Sequence, residues 1–172
     1  MIKKRRGQVW IETVIYTLIA LVMIGAVLSF VKPKIEELQD KSIIEQSIGM
    51  LKEIDSTILT MGGPGNQRII ELGIKKGTLK IDGESDKIIF EIESRHTYSE
   101  PGTDIPNGNL IIHTKKTGKL NIVTLTRDYT EDYNITYQGK DELKSITKAS
   151  TPYKFFISNN GGEKTVIDIE VS

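Results

Sequence analysis

The chain has 172 residues, near the upper size of one domain, and its 23 basic and 23 acidic side chains give a formal net charge of zero. A neutral chain lacks the overall positive charge by which nucleic-acid-binding domains attract phosphates. The absence of cysteine and the presence of two histidines, His96 and His113, exclude disulfides, thiolate chemistry, Cys-ligated metals and three-histidine metal sites.

The apolar residues are concentrated near the N-terminus. Residues 9–31 form a 23-residue run with 18 apolar residues and one charged residue, Glu12. A helix of this length measures about 34 Å, enough to cross a hydrocarbon core of roughly 30 Å. A buried helix of a soluble protein rarely stays apolar on every face over so many turns, and a cleaved secretory signal would be shorter. The run therefore predicts a membrane-spanning helix.

The residues around the start of this run carry further signals. A basic block, Lys3-Lys4-Arg5-Arg6, precedes it, and the positive-inside rule places that end in the cytoplasm and residues after 31 outside. Gly7 gives a flexible backbone at which a protease can bind an extended chain. A carboxylate inside an apolar span is costly, so Glu12 is a functional candidate. Its simpler interpretation is a carboxylate that favours the positive N-terminal end of its helix.

The N-terminus begins with Lys3-Lys4-Arg5-Arg6-Gly7, continues with Gln8-Val9-Trp10-Ile11-Glu12 and then forms a long apolar helix. This order resembles the class III signal peptide of archaeal type IV pilin-like proteins. The Gln8-Val9-Trp10-Ile11 sequence departs from the usual opening of archaellins, which favours a pilin. The resemblance implies that a prepilin peptidase cuts between Gly7 and Gln8, leaving 172 − 7 = 165 residues. It also implies that the apolar helix becomes the filament core and that Glu12 pairs with the new Gln8 amine of a neighbouring subunit.

A second helical segment follows Pro33, which predicts a kink near the membrane surface. Apolar residues at three- and four-residue steps predict an amphipathic stalk over residues 34–60. We expect it to pack on the domain that follows, residues 67–172 (the outer domain), through a stripe of Ile44, Ile48, Leu51, Ile54 and Ile58. Ile35 and Leu38 fall off this stripe and are either contacts for neighbouring subunits or ordinary surface residues. Helix breakers at residues 62–66 end the long N-terminal helix, predicted over residues 8–61.

The remaining residues, 67–172, alternate with a period of two and predict an extracellular β domain. Eight short strands are predicted at residues 70–74, 78–81, 88–92, 109–113, 120–126, 133–137, 153–158 and 165–171. Gly- and Asn-rich turn signals separate them. The pattern predicts an antiparallel β-sandwich or small β-barrel, and with the helix an α+β fold of pilin shape.

The outer domain contains few motifs with chemical meaning. Neither histidine belongs to a catalytic motif. The acidic residues Asp82, Glu84, Asp86 and Glu93 have a spacing similar to that of a calcium loop, but Lys87 stands where glycine is required, so a β-hairpin with solvated carboxylates is favoured. The basic residues 115–119 form either a solvated hairpin tip or a contact for anionic surface polymers. Asn134-Ile135-Thr136 is an N-glycosylation sequon, so Asn134 is a candidate acceptor.

Three classes of function are compatible with an anchored outer domain. The favoured one is a structural protein without enzymatic activity, cofactor or metal: a pilin subunit of an extracellular filament for surface adhesion. Its partners would be other pilin subunits, the prepilin peptidase and the membrane, with no nucleic acid. Before assembly the chain would cross the cell membrane once, with its N-terminus in the cytoplasm. The alternative is an unprocessed single-pass protein with an outward binding domain. A membrane-tethered hydrolase is disfavoured because no His, Cys or Ser constellation is present.

Overall fold

A computed structural model describes the backbone of residues 5–172 and the side-chain environment from Val9 onward. Residues 1–4, which include Lys3 and Lys4 of the predicted leader, lie outside the described residues. The first element is helix α1, Arg5–Leu59, which continues through Pro33. It therefore begins within the predicted leader and ends two residues before position 61. The chain divides into two compact units, Met1–Leu38 and Gln39–Ser172.

Helix α1 ends where its sequence stops supporting a helix. Its last turn tightens, with the Met61 amide donating to the Ile58 carbonyl at 3.2 Å, and the breakers after Met61 follow. Gly65 adopts a φ of 87°, a left-handed conformation that favours glycine. The Gly65 amide donates to the Asn159 carbonyl at 2.7 Å, and the Asn159 side chain donates to the Gly62 carbonyl at 2.9 Å. These bonds fix the direction in which the chain leaves the helix.

Ten β-strands follow the helix. They are β1 Gln67–Leu72, β2 Thr78–Asp82, β3 Lys87–Ser94, β4 Asp104–Asn107, β5 Leu110–Thr117, β6 Leu120–Asp128, β7 Asn134–Tyr137, β8 Leu143–Thr147, β9 Tyr153–Gly161 and β10 Val166–Val171.

The strands form two open sheets. A four-stranded sheet has the order β1-β9-β10-β7, and a six-stranded sheet has the order β4-β5-β6-β3-β2-β8. Every pairing is antiparallel except β7 with β10, which is parallel. A long apolar N-terminal helix followed by largely antiparallel sheets confirms the predicted α+β, pilin-like fold class. The sheets do not close on each other, so the barrel alternative is excluded.

Strands β4 and β8 were not predicted, and the first strand ends earlier than predicted. Strand β4 contains Pro106, which is tolerated because β4 lies at the edge of its sheet. Strand β8 buries only Ile146, so its sequence shows no alternation. Ile74, predicted to lie in the first strand, is buried in the loop after β1.

The core forms on the predicted stripe of α1. Ile44, Ile48, Leu51, Ile54 and Ile58 are all at most 8% exposed. They belong to one buried cluster that includes Phe155 and Ile167 of the four-stranded sheet and Phe90 and Leu125 of the six-stranded sheet. This packing confirms the prediction that the outer domain packs on this stripe of α1.

Leu51→Ala should destabilise the outer domain by about 2–5 kcal/mol, because it removes a fully buried side chain and leaves a cavity. Thermal or urea unfolding of the detergent-solubilised full chain measures the change. Leu59→Ala is the matched control, since Leu59 lies on the same helix but is 48% exposed. Equal losses in the two variants would show that the stripe is not what holds the domain together.

Candidate functional site

The first candidate site is the apolar N-terminal part of α1. Between residues 9 and 31, sixteen large apolar side chains are 40–78% exposed, and together they surround the helix. The helix is long and apolar enough to cross a membrane, and none of its most apolar 18-residue window is buried. A surface of this kind is unfavourable in water but matches a lipid environment. The segment is therefore compatible with membrane anchoring.

The hydroxyl groups of this segment are satisfied within the helix. Thr13 donates to the Val9 carbonyl at 2.9 Å, Thr17 to the Thr13 carbonyl at 2.8 Å and Ser29 to the Gly25 carbonyl at 2.8 Å. Each hydroxyl bonds the carbonyl four residues earlier, so it can enter an apolar environment without an unpaired donor.

Glu12 differs from these hydroxyl residues. It is exposed on α1, and among the described residues it has no hydrogen bond or ion pair. A carboxylate without a partner in its own chain needs water, lipid headgroups or another molecule to remain charged. Gly7 and Gln8 lie in the first turn of α1, where side chains are not described. Cleavage between them stays a prediction.

The Asn134 sequon is incorporated into the β domain. Asn134 begins β7 and is half-buried, and its backbone amide donates to the Thr165 carbonyl at 3.0 Å. Thr136 is buried, and its hydroxyl donates to Asp168 Oδ1 at 2.6 Å. Glycosylation of Asn134 stays a prediction, and it would have to occur before β7 joins its sheet.

The acidic residues 82–86 form the turn of a β-hairpin between β2 and β3. Asp82 accepts the Ser85 amide at 3.2 Å, and Asp86 accepts the Ile135 amide at 2.7 Å. No group of three or more His, Asp or Glu side chains suited to a metal ion occurs among the described residues. His113 Nδ1 lies 2.7 Å from Asp104 Oδ1 across β4 and β5, whereas His96 lies in the loop after β3.

Two buried aspartates of α1 were not singled out in the sequence. Asp55 is 7% exposed and accepts hydrogen bonds from Arg127 Nε at 2.6 Å and from Asn109 Nδ2 at 2.9 Å. Burial opposes the charged guanidinium, but the hydrogen bond and charge of Asp55 outweigh it and raise the pKa of Arg127. The pair ties α1 to strand β6.

Asp40 is the second buried aspartate of α1, and it lies nearer than Asp55 in sequence to the apolar segment, residues 9–31. It is 5% exposed, pairs with the Lys76 ammonium and accepts the Arg95 amide at 2.7 Å. Asp40 and Asp55 are in helical phase with the stripe, four residues before Ile44 and four after Leu51. Charged residues in phase with an apolar stripe are the signal that could have identified them.

Tyr129 lies within the Asp55 cluster. The Arg127 guanidinium carbon is 4.2 Å from the centre of its ring, a cation–π contact. The Tyr129 hydroxyl is buried and has no hydrogen-bond partner among the described residues. Burial, reinforced by the nearby Asp55 carboxylate, raises the pKa of Tyr129 far above its ordinary range, so the hydroxyl stays protonated. Asp55, Arg127 and Tyr129 are all buried, and their contacts hold α1 against β6.

No protein-family model, no curated protein and no solved structure matches this chain. Its function must therefore be argued from the N-terminal pattern and the fold.

Asp55→Asn should destabilise the outer domain by about 3–5 kcal/mol, because it leaves the Arg127 guanidinium buried without its counter-ion. Urea unfolding of the solubilised chain measures the loss. Asp132→Asn is the matched control: Asp132 approaches Arg127 at 3.6 Å, but its side chain is 57% exposed, so its loss should cost less than about 1 kcal/mol. Similar losses from both variants would contradict the assignment of Asp55 as the main partner.

Proposed function

We propose that this protein is a pilin: a subunit of an extracellular type IV pilus-like filament, made as a membrane-anchored precursor and processed after Gly7. The observation that carries the proposal is the order of a basic block, Gly7, Gln8 and an apolar helix whose side chains are exposed all round. The β domain on the second half of the helix supports it, because that combination is the pilin shape. Adhesion to surfaces is the proposed role of the filament.

Processing would change how firmly the helix is held. Residues 1–7 carry four of the 23 basic side chains, so the mature chain would have 23 − 4 = 19 basic and 23 acidic side chains, a charge of −4. Four cations at the cytoplasmic face resist movement across the membrane. Their removal therefore lowers the barrier to extraction of the helix into a polymer.

The helix would move from lipid into a bundle of identical helices. Both environments are apolar, so this transfer gains little from the hydrophobic effect. Side-chain packing and polar contacts must therefore supply the specificity of assembly. Glu12 is the only charged residue between positions 9 and 31, and it has no partner among the described residues of its own chain. A new amine at Gln8 of a neighbour would give it one and would align the two helices.

Removal of residues 1–7 can be tested by the mass of the assembled chain. Intact-mass measurement of the protein from sheared surface filaments should give a chain beginning at Gln8. Cyclisation of that residue to pyroglutamate would appear as the further loss of one ammonia and would remove the amine as a partner for Glu12. A chain that retains residues 1–7 in assembled material would contradict the proposal. An unprocessed chain found only in membranes would instead support the single-pass binding protein.

The assembly role of Glu12 can be tested by removing its charge. Glu12→Gln should abolish or strongly reduce filament yield, because an unpaired amine in the filament core costs several kcal/mol. Membrane levels and leader removal should stay normal, and immunoblots of membrane and sheared fractions measure both. Glu45→Gln is the matched control, since it makes the same chemical change on an exposed part of α1. Normal filaments from Glu12→Gln would leave Glu12 with only its local effect on the helix N-terminus.

A further inference from the structure

Strand β1 lies at one end of the four-stranded sheet and pairs with β9 on one side. The Asn159 amide donates to the Asn66 carbonyl at 2.9 Å, so the backbone of Asn66, just before β1, faces β9. The backbone groups of successive residues in a strand face opposite sides. Those of Gln67, Ile69 and Glu71 therefore face away from β9, toward the free edge of the sheet.

The hydrogen bonds on the other side of β9 give the same assignment. Lys154 exchanges two backbone hydrogen bonds with Ser172, at 3.0 and 3.1 Å, so its backbone faces away from β1. Glu71 is opposite Lys154, and opposite residues of an antiparallel pair either both face each other or both face away. Gln67, Ile69 and Glu71 are exposed, and among the described residues their backbone groups bond no other element. Strand β1 therefore presents unpaired N–H and C=O groups to solvent.

An apolar patch lies beside this edge, on the outer face of the four-stranded sheet. Ile69 is 58% exposed, more than any other large apolar side chain described after α1. It is opposite Phe156 of β9, which is half-buried. The next residue pair, Ile70 and Phe155, packs on the core instead. The edge therefore combines unpaired backbone groups with an uncovered isoleucine, a combination that favours pairing with another strand.

A second copy of β1 complements this edge in one register. In an antiparallel pair centred on Ile69, Ile69 is opposite Ile69 of the second copy, and Gln67 is opposite Glu71 of the second copy. All three outward-facing residues then lie in opposite pairs, each of which exchanges two backbone hydrogen bonds. The two Ile69 side chains would meet on the outer face with a Phe156 behind each, and such cross-strand apolar pairs stabilise sheets.

The neighbouring registers fit less well. Outward-facing residues must be opposite each other, so the next allowed registers are centred on Arg68 or on Ile70. The first places two Arg68 side chains opposite each other, and like charges in that position are destabilising. The second places Glu71 opposite Ile69 of the second copy and separates the two isoleucines. In the register centred on Ile69 no two like charges are opposite, so the sequence of β1 favours that register.

We propose that β1 is a self-association site, through which two copies of this chain join their four-stranded sheets edge to edge in the antiparallel register centred on Ile69. The contact is two-fold symmetric, so it closes with two copies. The proposal goes beyond the filament function, and the strand pairing does not depend on it. One strand pair is a small interface, so the contact is weak by itself.

In a filament this contact would act between filaments, a consequence that does rest on the proposed function. Subunits of one helical filament are related head to tail by a screw rotation, whereas the β1 contact is two-fold symmetric. It would therefore join subunits of different filaments. Many weak contacts along two aligned filaments would act together, so β1 would bundle them.

The test uses disulfide formation between full-length chains in detergent, because the chain has no cysteine of its own. Ile69→Cys should form a linked dimer on mild oxidation, since opposite residues of a hydrogen-bonded pair lie about 5.5 Å apart at Cα, within disulfide reach. Gln67→Cys alone and Glu71→Cys alone should not, because each lies about 14 Å along the strand from the same residue of the second copy. A mixture of these two variants should form the linked dimer, because Gln67 is opposite Glu71.

Ile69→Lys, added to both chains of that mixture, should lower the yield of linked dimer roughly tenfold, because it removes the apolar contact and places two like charges opposite each other. Non-reducing electrophoresis after a fixed oxidation time measures the yield. Leu143→Lys is the matched control: Leu143 is 54% exposed on β8, an edge strand of the other sheet, so the yield should not change.

Two outcomes would overturn the proposal. No linked dimer from either Ile69→Cys or the mixture would show that the β1 edges do not meet. Equal yields from Ile69→Cys, Gln67→Cys and Glu71→Cys, each alone, would show that copies meet without a strand register, through contacts such as their apolar helices. The expected disulfides in detergent, together with a chain that forms no filaments on cells, would support the strand pairing and contradict only the filament function.

Discussion

The outer domain depends on a single apolar contact, the stripe of α1 packed against both sheets, and on the two aspartates near its ends. Apolar packing is strong but not directional, so a helix could slide along its groove by one turn, about 5.4 Å, and still bury apolar surface. Asp40 and Asp55 prevent this, because a slip would separate each buried carboxylate from its partner. The apolar stripe supplies the stability, and the carboxylates fix the position.

The elements that could be predicted from the sequence are those whose signal is local and periodic. The stripe from Ile44 to Ile58 and the alternation in β3 and β6 follow directly from the periods of a helix and a strand. Sequence reasoning did not identify β8, which buries one side chain, or β4, whose Pro106 argues against a strand. It also did not identify the partners Asp55 and Arg127, because 72 residues separate them and no local pattern links them.

The two units of the chain use charge in different ways. In the apolar segment charge is nearly absent, and Glu12 is the one charged residue between positions 9 and 31. In the outer domain charge is abundant, and the buried carboxylates of Asp40 and Asp55 pair with Lys76 and Arg127 and fix the helix. A formal net charge of zero for the whole chain therefore conceals a large difference in charge density between the apolar segment and the rest of the chain.

The parallel pairing of β7 with β10 has a consequence for biosynthesis. Strand β10 lies inside the four-stranded sheet, between β9 and β7, yet it is the last of these strands along the chain. Strand β1, which directly follows the helix, must wait for β9 as its partner. The four-stranded sheet cannot be completed while residues 166–171 are still in the ribosome, so the domain folds late and through contacts distant in sequence. During that interval the amphipathic half of α1 exposes its apolar stripe, and a chaperone or the membrane surface would have to shield it.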